Sequence, residues 1–464
     1  MTIEQRARRT PIFELLFLAG PTVAQMASYT LMQFVDTYML SRVGTDEPTA
    51  AGNSGLLAFA LICFGFGLLF VVNTLASQSY GAKRFGECGR HLWQGFYVAV
   101  SYSLLLLPTV GFADVFFRAF HHAHVLAAME GGYFRITMSF MFAKLIGVAA
   151  GQFLLAVNRP LVVFGSAVAG ISANALVAWA LIFGHLGFAP HSIVGSAWGQ
   201  NVGVCVETAF LLAAIFLKPV MRQSFGVLDA RLRRRELLAL LKIGAGAGMQ
   251  VVADVMAWSL FGVWVIGRFG TQAMAANTFM VRYLAVSFMP AYGISVAVTA
   301  LVGRSIGAGR PDEARRWARL GFLVAASYMV ACGLVFLFGR HLLIGLFTRD
   351  PVIARTGALL LCFGAAYQLF DAFYIVFNGA LRGAGDTLIP GLATGVFCWG
   401  ITIFGGYAVA RNFPRWGVAG PWTMEIIYGI VLGLFMWHRF SHGHWREIHL
   451  IAAYPPPCSA VPTT

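Results

Sequence analysis

Charged residues are scarce in this chain of 464 residues. They make up 11% of it, whereas a soluble protein carries about 25% because water has to wet its surface. Hydrophobic residues make up 58% of the chain. This composition excludes an ordinary soluble domain and predicts a protein that is solvated by lipid.

Paired cysteines and catalytic motifs are missing as well. The seven cysteines show no CxxC spacing, so the sequence predicts neither a disulfide framework nor a zinc finger. No phosphate-binding loop and no nucleophile–base motif is recognised, and we expect no enzymatic activity and no cofactor. The histidine cluster HHAH at 121–124 stands beside no cysteine or carboxylate constellation, so we predict no metal site there.

Long apolar runs fill the rest of the sequence. A helix needs about 20 residues to cross a bilayer. The fold class predicted is therefore all-α, a polytopic membrane protein with about twelve transmembrane helices. We place them near 12–40, 49–79, 92–116, 127–157, 161–188, 193–218, 238–266, 272–303, 318–346, 352–380, 388–410 and 418–439.

The basic residues predict the orientation. Twelve spans put both termini on one side, and most Lys and Arg fall in the segments on that side, which marks it as cytoplasmic. This asymmetry accounts for the net charge of +14 without a nucleic-acid partner. The run RLRRRE at 231–236 is interpreted as part of a cytoplasmic connector whose roles are topology and contact with anionic lipid.

An internal repeat divides the chain. Segment 73–95 aligns with 299–321 at an offset of 226 residues, with identities that include Gly81/Gly307 and Arg90/Arg316. Because the offset contains six spans, the two halves insert in the same orientation, and we predict two pseudo-symmetric six-helix bundles around a central cleft. The predicted units are a lobe at 12–218, a basic connector at 219–237, a second lobe at 238–440 and a cytoplasmic tail at 441–464. A duplicated architecture of this kind favours transport.

Three aspartates lie inside predicted spans: Asp36, Asp254 and Asp371. A carboxylate at this depth is costly unless it lines a cavity or has a partner, so each is a candidate cation-coupling residue. The alternative is that each aspartate pairs with a neighbouring helix and only fixes packing. Further polar residues lie at helical spacing or on another span, and they are candidates for the cavity and the substrate site: Tyr29, Gln33, Asn174, Gln250, Tyr367, Tyr374 and Asn378.

Four motifs in order resemble the multidrug and toxic compound extrusion (MATE) family, in its NorM-like bacterial branch. They are FVDTYMLSRVG, SQSYGAKRFGE, RSIGAGRPDEARR and FNGALRGAGDT. The resemblance implies two six-helix lobes and Na⁺- or H⁺-coupled antiport of cationic or amphipathic compounds. It also implies that Asp36 and Asp371 match family acids of helices 1 and 10 and that Asn174 matches a helix 5 asparagine. Asp254 stands where NorM-like members usually carry Glu.

These observations predict a cation-coupled antiporter of the bacterial inner membrane, with both termini cytoplasmic. We expect a monomer in the lipid bilayer that exports small molecules by alternating access, with H⁺ or Na⁺ as the coupling ion. The alternative within the same superfamily is a flippase for lipid-linked oligosaccharides. A channel or a membrane-bound acyl or glycosyl transferase is a rival from another class, and the duplication counts against both.

Overall fold

Twelve helices form the bundle in the part of the chain that the structure describes. The computed structural model describes residues 11–44, 46–119, 124–185, 187–448 and 450, and for residues 28–31, 114 and 119 it describes the backbone alone. The helices are α1 Pro11–Ser41, α2 Asp46–Gly81, α3 Phe85–Leu106, α4 His124–Ser139 with Met141–Ala156, α5 Pro160–Phe183, α6 Ser192–Phe216, α7 Arg234–Leu260, α8 Thr271–Gly307, α9 Pro311–Gly345, α10 Pro351–Ala384, α11 Leu388–Phe397 and α12 Ala419–His442.

Apolar length makes these helices membrane spans. Among the described residues, ten are long and apolar enough to cross a bilayer, and the count is eleven when the two bent segments of α4 are taken as one span. The remaining helix, α3, carries Glu87, Arg90 and His91 in its first turns and is less apolar. The all-α, polytopic fold class is therefore confirmed, with a count close to the predicted twelve.

Several predicted spans are interrupted in the structure. The span predicted at 92–116 ends at Leu106, because Pro108 cannot donate an amide and a short 3₁₀ turn follows. The two segments of α4 bend by 47° next to Ser139, whose hydroxyl donates to the carbonyl of Arg135 one turn earlier. In α7 and α11 the helix continues through π-helical segments, Phe261–Val265 and Cys398–Gly405.

The two halves meet along α2 and α8, where the repeat residues Gly81 and Gly307 occupy equivalent places. A Cβ on Gly81 would overlap the carbonyl of Arg304, and a Cβ on Gly307 would overlap the carbonyl of Gln78. Gln78 and Arg304 are themselves related by the repeat offset of 226 residues. Only glycine allows backbones to approach so closely, so these helices cross at their carboxyl ends about a pseudo-twofold axis.

Packing on either side of this axis is also equivalent. Helix α1 packs on α8 and α5, and α7 packs correspondingly on α2 and α11. One apolar core is built mainly from α7–α12 and a second from α2–α7, although Leu15 and Leu18 of α1 join the first of them. The residue bounds of the two lobes stay a prediction.

The connector between the halves is docked on the first bundle. Trp93 Nε1 donates to the carbonyl of Val227 at 2.8 Å, and Arg90 Nε pairs with Asp229 at 3.2 Å. Phe225 packs between the rings of Tyr80 and Phe85. In the predicted tail, a 3₁₀ turn follows α12 at His444–Glu447; residues 451–464 lie outside the described part.

The amino-terminal ends of α1 and α9 and the carboxyl end of α12 lie together. Arg315 donates to the carbonyl of Ser441 at 3.2 Å, and Arg446 pairs with Asp312 at 2.9 Å. A groove between α1 and α9 is lined by Pro11 and by residues of α9. We call this the terminal end of the bundle. The carboxyl ends of α2 and α8 also lie at this end, because short turns connect them to the starts of α3 and α9.

Candidate cation and substrate sites

Asp254 of α7 lies at the centre of a hydrogen-bonded network in the second half. The hydroxyl of Tyr374 donates to its Oδ2 at 2.6 Å, and the hydroxyl of Tyr428 lies 3.3 Å from its Oδ1. Gln250 Nε2 in turn donates to Tyr374 at 3.2 Å and to Thr394 at 3.1 Å. The carboxylate of Asp254 thus joins α7 to α10 and α12, and Gln250 extends the network to α11.

Two further acids lie near Asp254. Asp371 is 6% exposed and has the hydroxyl of Tyr367 beside it, and Glu425 is 1% exposed. Both acids lie within electrostatic range of Asp254. None of the three carboxylates has an ion-pair partner within 4.0 Å among the residues that the structure describes, and both oxygens of Glu425 lack a hydrogen bond.

The cluster of Asp254, Asp371 and Glu425 can bind a metal cation or exchange protons. Three carboxylates from α7, α10 and α12, supplemented by phenol and amide groups, present hard oxygen ligands to a cation or exchangeable sites to a proton. Keeping all three charged in a buried site is costly, because the buried Arg382 acts on Asp254 only from beyond 4.0 Å, so the cluster favours binding of H⁺ or a metal cation. The predicted residues Asp254, Asp371, Tyr367, Tyr374 and Gln250 meet here.

Sequence reasoning missed Glu425 and Tyr428. Glu425 lies close enough to the start of α12 in the sequence to suggest a side chain that reaches the membrane interface, but it is fully buried nearly two turns inside α12. The available signal was its spacing from Tyr428, since residues i and i+3 share a helix face. Asn378, the last predicted member on α10, is 7% exposed and lies one turn beyond Tyr374.

The first half holds a smaller polar pair. Asn174 Nδ2 of α5 donates to Asp36 Oδ2 of α1 at 3.4 Å, which brings two predicted residues together. Asp36 is 8% exposed, and its Oδ1 has no hydrogen-bond partner among the described residues. Gln33, three residues before Asp36 on α1, is exposed, and the side chain of Tyr29 lies outside the described part.

Glu130 of α4 is a second buried acid that sequence reasoning missed in the first half. It is 0% exposed, and its Oε1 accepts a hydrogen bond from Asn53 at 2.8 Å. Ser54 donates to its backbone carbonyl at 2.9 Å. These bonds link α4 to α2. His121 and His122 of the histidine cluster lie outside the described residues, and no group of metal-ligating side chains occurs within them.

A duplicated membrane bundle with carboxylates buried in both halves defines a membrane transporter. The MatE family model matches the chain twice, at residues 21–180 and 251–408, once in each half. The chain therefore belongs to the multidrug and toxic compound extrusion family.

Curated relatives agree with this assignment. A protein of Mesorhizobium japonicum called "Probable multidrug resistance protein NorM" is 28% identical over 429 residues, which cover 89% of this chain and 90% of that protein. "Multidrug resistance protein NorM" of Burkholderia vietnamiensis is 28% identical over 447 residues, covering 94% of each. The spans and these bacterial relatives place the protein in a bacterial inner membrane.

Solved structures share the fold. One described as the outward-facing conformation of a multidrug resistance MATE family transporter has a TM-score of 0.85 at 18% identity and covers 94% of this chain and 98% of its own. Another, from Pyrococcus furiosus, has a TM-score of 0.84 at 18% identity and covers 94% and 97%; its description reports a binding pocket of reverse polarity and a different function. Pocket chemistry must therefore decide function within this fold.

Proposed function

We propose that this protein is a cation-coupled antiporter that exports small cationic or amphipathic compounds across the inner membrane by alternating access. The observation that carries the proposal is the cluster of Asp254, Asp371 and Glu425, three buried carboxylates without an ion-pair partner among the described residues. A cationic substrate and a coupling cation would compete for the same negative charge. The names of the NorM relatives support a multidrug substrate range.

Competition between the coupling cation and the substrate for the three carboxylates would exchange one for the other. A cation that enters from outside neutralises carboxylates in the second half and weakens the binding of a cationic substrate. Linkage requires that the substrate weakens cation binding by the same factor, so each expels the other. Asp36 with Asn174 offers a second, smaller site in the first half.

Contacts at the terminal end support alternating access, because they hold the two halves together there. Arg304 of α8 donates through Nη2 to the carbonyl of Leu155 at 2.8 Å and through Nε to that of Ala156 at 3.0 Å, at the carboxyl end of α4. Its repeat mate Gln78 of α2 donates to the carbonyl of Gly383 at 3.0 Å, at the carboxyl end of α10. We call these contacts the terminal latch.

The terminal latch has the chemistry of a reversible closure. The last carbonyls of a helix have no partner within the helix and carry partial negative charge, so a guanidinium is a favourable partner and water is a ready substitute. The latch can therefore open when water takes the place of the guanidinium at the carbonyls of α4. In the proposed orientation, with both termini cytoplasmic, the conformation is closed toward the cytoplasm.

We infer the coupling ion from Asp254 of α7, an aspartate at a position where NorM-like proteins usually carry a glutamate. A metal cation needs several oxygens at fixed distance, whereas a proton needs one carboxyl. Asp254 reaches one methylene less far than the usual Glu, and phenol hydrogen bonds are made to both of its oxygens. These features favour H⁺, with Asp254 supporting Asp371 from beside the substrate.

Transport by the purified protein in proteoliposomes tests the proposal. Asp371→Asn should fold and insert but lose gradient-driven efflux of a fluorescent cationic dye, because an amide neither exchanges a proton nor holds a cation with full charge. Glu313→Gln is the matched control, since it removes a carboxylate that pairs with Arg310 at the surface. Normal efflux by Asp371→Asn would show that this acid is structural and that the coupling mechanism is wrong.

A further inference from the structure

A groove of about 570 Å³ opens at the terminal end of the bundle, between the start of α1 and the first turns of α9. Its polar side carries three arginines, and its apolar side carries Ile12 and Leu323, which are 46% and 60% exposed. The full lining is Pro11, Ile12, Asp312, Arg315, Arg316, Arg319, Leu320 and Leu323.

The arginines of the groove lack acidic partners. Among the described residues, Arg315, Arg316 and Arg319 have no carboxylate within 4.0 Å, and the one acid of the lining, Asp312, pairs with Arg446 instead. Arg315 donates to the carbonyl of Ser441, but its buried Nε has no partner. Within the described part of the chain, the positive charge of the groove is therefore uncompensated.

The repeat offers an internal comparison. Arg90 is the repeat mate of Arg316, and at 3.2 Å it pairs with Asp229 of the connector. In the second half, the turn after the last helix contains Glu447, but no carboxylate among the described residues lies within 4.0 Å of Arg316. Arg316 therefore lacks the acidic partner that Arg90 has, and an anion from outside the described fold would supply it.

We propose that the groove binds an anionic phospholipid, with the phosphate on Arg316 and Arg319 and an acyl chain along Leu320 and Leu323. A basic group directly above exposed apolar side chains at the end of membrane helices fits a lipid that is charged at one end and apolar at the other. A soluble phosphate ion would use the arginines alone. The inference depends on membrane insertion and is independent of the proposed coupling mechanism.

Lipid binding to the full-length protein, purified in detergent and measured by native mass spectrometry, tests the proposal. Phosphatidylglycerol is compared with phosphatidylcholine of the same acyl chains, and with glycerol 3-phosphate as the soluble headgroup. Arg316→Gln/Arg319→Gln should weaken phosphatidylglycerol binding by about tenfold or more, since each basic residue near an anionic surface contributes about 1 kcal/mol, which corresponds to about fivefold. Arg411→Gln/Arg415→Gln is the matched control, with two exposed arginines in the segment that leads from α11 to α12.

Four results would overturn the proposal. The first is equal loss in the groove and control variants, and the second is equal binding of phosphatidylcholine. The third is arginine-dependent binding of glycerol 3-phosphate as tight as that of the lipid, which would identify a phosphate site. The fourth is lipid binding that is absent in the parent protein and appears only in Glu4→Gln. Glu4 lies in the segment before Pro11, and this result would mean that the segment itself supplies the anion. Selective loss in Arg316→Gln/Arg319→Gln with unchanged thermal stability supports the lipid site.

Discussion

Removing Arg304 should open the terminal end of the bundle. Its guanidinium makes two charge-assisted hydrogen bonds, at 2.8 and 3.0 Å, to the end of α4, and it lies 5.2 Å above the ring of Tyr80. Such hydrogen bonds contribute about 1.5–3 kcal/mol each, and a cation–π contact about 0.5–1 kcal/mol. Water can replace the guanidinium at this partly exposed site, so we take about 2 kcal/mol as the net loss in Arg304→Ala.

That loss corresponds to a change of about thirtyfold in the ratio of closed to open populations. Spin labels at Phe85 and Asp312, at the starts of α3 and α9, report the separation of the two halves in a cysteine-free background. We expect a longer distance component in Arg304→Ala that is absent or minor in the parent protein. Dye efflux should fall as well, because a conformation that no longer closes toward the cytoplasm cannot complete the cycle.

Arg310→Ala is the control for this experiment. Arg310 also carries a positive charge next to the end of α8, but it pairs at 2.7 Å with Glu313 in a solvent-exposed ion pair that contributes at most about 1 kcal/mol. A distance distribution in Arg304→Ala that matches the parent protein would refute the latch. An equal shift in Arg310→Ala would attribute the effect to net charge.

Three further predictions address other parts of the molecule. A pH gradient should drive efflux and a Na⁺ gradient at equal pH should not; efflux driven by Na⁺ and abolished in Asp254→Asn would overturn proton coupling. Gly307→Ala should lower stability by about 1–3 kcal/mol in thermal unfolding, since its methyl group overlaps the carbonyl of Gln78, whereas Gly132→Ala meets no atom within 4 Å and should be neutral. The hydrogen bond from Arg233 lowers the pKa of Asp229 below its usual value of about 3.9. The stabilisation that the ionised Asp229 gives to the folded connector is therefore complete above that pH and is lost as pH falls through the lowered pKa. Hydrogen exchange at 225–233 should therefore reflect unchanged local stability between pH 5 and 8, and exchange should accelerate in Asp229→Asn; equal exchange in the two proteins would contradict the prediction.

The sequence alone determined the class of this protein and part of its site. Apolar length predicts a membrane span because the bilayer has a fixed thickness, and the scarcity of charge leaves no soluble alternative. The repeat predicts the pairing of halves, since an even number of spans preserves orientation. Helical spacing also placed Tyr367, Asp371 and Tyr374 on one face of α10, where the structure has them beside Asp254.

Only the tertiary structure decided which helices share a site. Helical periodicity tells which residues lie on one face, but it does not tell which helix that face meets, because the partner depends on packing between residues far apart in sequence. The position of Glu425 in the sequence therefore does not show that α12 brings it beside Asp254 of α7. For the same reason the sequence does not show what Arg304 contacts. Its partners are backbone carbonyls of α4, which carry no side-chain signal in the sequence.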